Sequence, residues 1–159
     1  IYRRKFIEEN GLTFYKGIFH EDNEFTPRAI YLAKRVRVLN NFIYNYYQGN
    51  PNSILSVPNI KKSYDLKFVS ERTISFICNC VDDSNARNFL LNLAASEFNT
   101  SLRSIARNGF EKKLRCEFLK SVDKKQILQF YKCTNLRYVF MAFCCNISVK
   151  FYIRLLKLL

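Results

Sequence analysis

The sequence predicts an all-α protein of short stacked helices, arranged like an α-solenoid or helical-repeat array. Three observations lead there. Apolar residues recur at spacings of three and four over much of the chain, the period of a helical face. From Asp82 onward, capping residues stand ahead of one apolar run after another, with little loop between. There is also an internal echo: Leu90-Leu91-x-Leu93 with Leu102, Ile105 and Gly109 returns 37 residues later as Ile127-Leu128-x-Phe130 with Val139, Ala142 and Asn146.

The first segment, residues 1–62, reads as an N-terminal helical segment with a hinge loop near residues 49–60. Tyr2 to Glu9 suits a short helix that ends near Gly11. Leu12 to Phe19 carries aromatics and fits helix or strand. His20, Glu21, Asp22, Asn23 and Glu24 read as an acidic loop. Thr26 then suits an N-cap, Pro27 the first helical position and Gly49 a left-handed C-cap. Between them Ala29, Leu32, Val36, Leu39, Ile43 and Tyr46 make one apolar face. Asn50, Pro51, Asn52, Ser53, Pro58 and Asn59 supply turn chemistry.

Residues 63–146 read as the helical-repeat region. Ile74, Phe76, Cys78 and Cys80 alternate as in a strand, yet the surroundings favour helix over 64–81. Ser84 is placed to cap a helix with Phe89, Leu90, Leu93 and Ala94. Thr100 or Ser101 is placed to cap a shorter one with Leu102, Ile105 and Ala106, closed by Gly109. Phe110 to Ser121 sets Leu114, Phe118 and Leu119 on one side. Asp123 with Gln126 has capping-box spacing, and Val122 with Ile127 suits a hydrophobic staple. Asn135 suits the cap of a helix bearing Val139, Phe140 and Phe143. Residues 147–159 read as a C-terminal amphipathic basic helix, or else as a non-native extension. Val149, Tyr152, Ile153, Leu156 and Leu159 lie on one side of it, and Lys150, Arg154 and Lys157 on another.

Composition narrows the function. The 159 residues include 15 Phe and 10 Tyr without Trp, which supports a packed core rather than disorder. The first residue is Ile, so the chain is expected to be a fragment or a processed piece. The net charge is +13, and it is uneven: residues 1–100 hold 13 Lys/Arg against 10 Asp/Glu, residues 101–159 hold 13 against 3. A basic half points to an anionic partner, RNA first and a lipid surface second. Six cysteines without zinc-type spacing and a single histidine, His20, leave no expected metal site and no cofactor. They suit reduced thiols in an intracellular protein, nuclear, nucleolar or cytoplasmic. No apolar run is expected to span a bilayer. No nucleophile elbow, phosphate loop or acid–base pair is evident, so the chain is expected to be non-catalytic.

In the basic half, cations alternate with aromatic and small polar residues. Arg103, Arg107, Lys132, Arg137 and Tyr138 are the candidates for phosphate contact and base stacking. Leu91 to Ile105 and Leu128 to Val139 resemble successive Pumilio-type repeats, three-helix units that bind single-stranded RNA along a concave face. That resemblance implies RNA-facing positions at Thr100, Ser101 and Ser104 around a core Leu102. It implies Arg137, Tyr138 and Met141 around Val139, and Arg72, Thr73 and Phe76 around Ile74. The usual glycine before the middle helix and the base-discriminating side chains are missing, which implies sequence-tolerant binding, as in the ribosome-biogenesis branch of that family. The alternative is a HEAT-like scaffold for a protein partner. A third reading is a peripheral membrane protein that touches the surface through its C-terminal helix.

Overall fold

A computed structural model describes residues 1–45, 47 and 57–158. Among them the regular structure is entirely helical, with no strand. The helices are α1 (Arg4–Glu9), α2 (Glu21–Leu32), α3 (Ile60–Cys80), α4 (Ser84–Arg107), α5 (Lys112–Lys120) and α6 (Lys124–Gln129). A 3-10 turn (Phe130–Lys132) then leads into α7 (Leu136–Leu156). The ambiguous stretch 64–81 is helix.

The α3–α4 hairpin is the most extensive helix pair, and it is joined by Val81, Asp82 and Asp83. Alanines at 94 and 95 are fully buried, and small side chains let helices come close. The Ser70 hydroxyl donates to the Ala94 carbonyl at 2.7 Å across this seam. On its other side α4 meets α7 and the 3-10 turn, where Phe98 and Phe130 lie with ring centroids 5.3 Å apart. Phe98, Leu102, Ile105, Phe118, Ile127, Phe130 and Met141 form the main core. Leu12, Phe25 and Ala29 form a separate, smaller one between the N-terminal segment and α2.

Four expectations need correction. The Thr26–Gly49 helix is instead Glu21–Leu32, with Pro27 inside it. His20 precedes it in the left-handed region (φ 63°), and Glu21, Asp22 and Glu24 fill its first turn, where carboxylates complement the helix dipole. The supposed acidic loop is therefore a helix start. Ala33 is extended, and Val36, Leu39 and Ile43 are exposed and non-helical. An amphipathic helix owes most of its stability to burying its stripe, and this stripe meets no apolar surface among the described residues. Tyr46, Gly49 and residues 50–56 lie outside the described residues.

Second, Thr100 and Ser101 cap nothing. Their hydroxyls donate backwards, to Ser96 O at 2.9 Å and Phe98 O at 2.7 Å, and α4 runs unbroken for 24 residues. The cap of α4 is Asp83, which accepts from the Ala86 N–H at 2.7 Å. Third, Gln126 makes no capping box. Asp123 accepts from the Lys125 N–H, while the Gln126 amide turns inward and donates to Ser70 Oγ at 3.0 Å. Fourth, α7 is long and apolar enough to cross a membrane by length and composition, contrary to expectation. Asn135 caps it by accepting from the Arg137 N–H. The expected C-terminal segment continues this helix after a break at Ser148 (φ −164°, ψ 122°). The two echoed stretches also differ in structure: the first runs along α4 to Gly109 just past its end, the second across α6, the 3-10 turn and α7.

Candidate functional site

A groove of about 420 Å³ runs between α2 and α4. Helical spacing builds both walls. Asp22, Asn23, Thr26, Pro27, Ile30 and Tyr31 come from α2; Ala86, Phe89, Leu90, Leu93 and Glu97 come from α4. Leu90 is buried, whereas Ile30 and Phe89 stand exposed at the rim. Hydrogen bonds close both ends. At one, Asn23 Nδ2 donates to Glu97 Oε1 at 3.0 Å. At the other, the Asp82 N–H donates to the Tyr31 hydroxyl at 3.2 Å.

The polar end holds two carboxylates in unlike settings. Burial pushes the Glu97 carboxyl above its ordinary range and the negative Asp22 adds to that, while the Asn23 hydrogen bond opposes both. Asp22 itself is exposed. A half-buried carboxyl held by an amide beside an exposed aspartate is an arrangement able to bind hydroxyl groups. The apolar walls with Tyr31 and Phe89 suit a ligand that also has a carbon-rich face.

Beneath the groove, Glu24 anchors α2. It is buried between Arg28 Nη2 at 2.6 Å and Arg72 Nε at 3.3 Å, and so ties α2 to α3. Asp65, also buried, accepts from the Phe19 N–H at 2.8 Å and pairs with Lys61. Among the described residues no group of three or more His, Cys, Asp or Glu side chains is placed to hold a metal.

None of the nine residues nominated for RNA lines the α2–α4 groove. Arg72 is engaged internally, on Glu24 and over the Tyr15 ring at 5.6 Å. Ser101 is fully buried, and Ser104 accepts from Ser63 and Asn108. Met141, an RNA-facing position by resemblance, is also buried. Thr100, Arg103 and Arg107 follow one exposed edge of α4. Arg103 lies close enough to Tyr152 to act on its charge, whereas Arg137 starts α7 beside the Asn92–Asn135 contact. Lys132 is exposed on the 3-10 turn and Tyr138 is half-buried. Every ion pair among the described residues joins positions between Arg4 and Arg72, so the cations after residue 100 are unpaired there.

The groove's residues escaped notice in the sequence because Asp22 and Asn23 look like loop and Glu97 looks like solvated helix surface. The available signal was the pair of spacings, 22-23-26-27-30-31 and 86-89-90-93-97, which places polar and apolar positions on one face of each helix.

No family model and no solved structure matches the chain. A Bacillus subtilis (strain 168) protein described as the uncharacterized glycosyltransferase EpsJ is 31% identical over 93 residues. The match covers 54% of this chain and 27% of that relative, so about half of the chain is similar to about a quarter of a longer protein.

Proposed function

We propose that this chain is a helical part of a sugar-transferring protein, and that the α2–α4 groove takes a saccharide. The groove carries the reading: a hydrogen-bonding end at Asp22, Asn23 and Glu97 opposite aromatic and aliphatic walls at Tyr31, Phe89 and Leu93. A pyranose has the matching surface, with hydroxyls at its edge and C–H groups on its faces. The Asp22 carboxylate is the candidate to accept a proton from a saccharide hydroxyl, and Glu97 with Asn23 positions that hydroxyl. The partial similarity to a protein described as a glycosyltransferase supports the same reading and departs from the non-catalytic expectation. RNA contact stays a proposal for the basic half only, and it is set against lipid below.

The test is a ¹H–¹⁵N NMR titration of the 159-residue chain with glucose, galactose and N-acetylglucosamine. The expected result is a shift of the Asn23 side-chain amide and the Phe89 and Glu97 backbone amides, with a dissociation constant on the order of 1 mM. Phe89→Ala, at an exposed position, weakens it by about tenfold, the scale of one lost side-chain contact. Shifts absent at the groove, or unchanged by Phe89→Ala, remove the reading.

A further inference from the structure

The outer side of α7 is covered by no helix among the described residues. Leu136, Phe140, Phe143 and Ile147 recur at spacings of four, three and four, so they line one side, and each is more than half exposed. The opposite side, with Met141, Ala142, Cys144 and Cys145, is buried in the main core. After the break at Ser148 the exposed positions are Lys150, Phe151, Arg154, Lys157 and Leu158. Arg137 borders the apolar stripe at its start, and none of these cations is in an ion pair among the described residues.

An apolar stripe with Arg137 at its start and the exposed Lys150 and Arg154 following its end complements acyl chains beneath anionic headgroups. We propose that the outer face of α7 seats on an anionic lipid surface. Phe140, Phe143 and Ile147 enter the acyl boundary, and Arg137, Lys150 and Arg154 meet headgroup phosphates. Charge decides between occupants. A second copy of the chain would set these cations against their own kind. Single-stranded RNA would use the cations and leave Leu136 and Ile147 in water. A transbilayer placement would require lipid on all sides, whereas Tyr152, Ile153 and Leu156 are committed to the core. The proposal is independent of the groove and does not rest on the saccharide reading.

Flotation of the full chain with phosphatidylcholine vesicles, with and without about one phosphatidylglycerol in three, tests it. The expected result is at least about tenfold stronger binding to the anionic vesicles. Phe140→Asp with Phe143→Asp, and separately Lys150→Glu with Arg154→Glu, each reduce binding by about tenfold or more. Phe143→Trp changes little in shape and supplies the only tryptophan. Its emission moves to the blue on anionic vesicles and is quenched by bromine near the headgroups more than at the bilayer centre.

Four results overturn the proposal. One is equal or absent binding to the two vesicle types, and another is strongest tryptophan quenching at the bilayer centre. A third is a dimer in ultracentrifugation that Phe140→Asp with Phe143→Asp dissolves, without vesicle binding. The last is retention of poly(U) that this pair leaves unchanged, again without vesicle binding.

Discussion

Glu97 has an environment that a carboxylate on a helix surface does not normally meet. Burial acts first, raising its proton affinity, and Asp22 adds to that against the pull of Asn23. Its folded value stands above its unfolded one, so the folded chain holds this proton more tightly. The stability gained is complete below the ordinary glutamate range and is lost as pH rises through the raised folded value. Glu97→Gln keeps a side-chain oxygen for the Asn23 amide and carries no charge. The substituted protein is expected to match the parent in melting temperature near pH 4, about the ordinary glutamate value, and to exceed it increasingly towards pH 7. Calorimetry across that range checks this; a constant gap means that Glu97 is not desolvated. Sequence could show the residue but not the burial, because Asn23 comes from a helix 74 positions away in the chain.

At the scale of elements, legibility followed whether a local signal had a rival. Asn135 has one use, capping, and the helix starts where the sequence says. Thr100 and Ser101 have two, capping or bonding backwards. The decision belongs to the stripe Ala94, Phe98, Leu102 and Ile105, which stays fully buried through them and keeps α4 whole. Pro27 misled as well: it suits a helix start, yet it stands at the seventh position of α2, where it withholds one N–H from the helical ladder. Gln126 shows what an inward turn costs. Its amide nitrogen reaches Ser70, but its buried Oε1 has no hydrogen-bond partner among the described residues. Ser70 keeps the Ala94 carbonyl whether or not Gln126 is present. Gln126→Leu therefore strands no group, and it is expected to be neutral or to stabilise by about 1 kcal/mol in urea unfolding. A loss above about 2 kcal/mol, the size of a broken buried network, contradicts this account.

Two cores of unequal size organise the described residues, and three buried thiols are placed to report on the larger one. The excess of cations over residues 101–159 is visible in the sequence; the core division is not, because Phe25 and Phe98 look alike until their neighbours are known. Cys78 and Cys80 are exposed, whereas Cys133, Cys144 and Cys145 are buried in the main core. Burial pushes the Cys133 thiol up to about 11 and, with its neighbour Cys144, the Cys145 thiol up to about 12, so neither is a thiolate at neutral pH while folded. Reaction with an aromatic disulfide is expected to be fast at two positions, and at these three to wait for opening of the main core. Phe98→Ala removes a fully buried ring and costs about 3–5 kcal/mol, which speeds labelling of the three by on the order of 100-fold or more. Phe25→Ala empties only the small core, which shares no buried residue with the large one. It is expected to loosen α2 in hydrogen exchange while the three thiols keep their parent rates within about threefold, the independence that separate cooperative units show. Equal acceleration by both substitutions would mean that the two cores open as one.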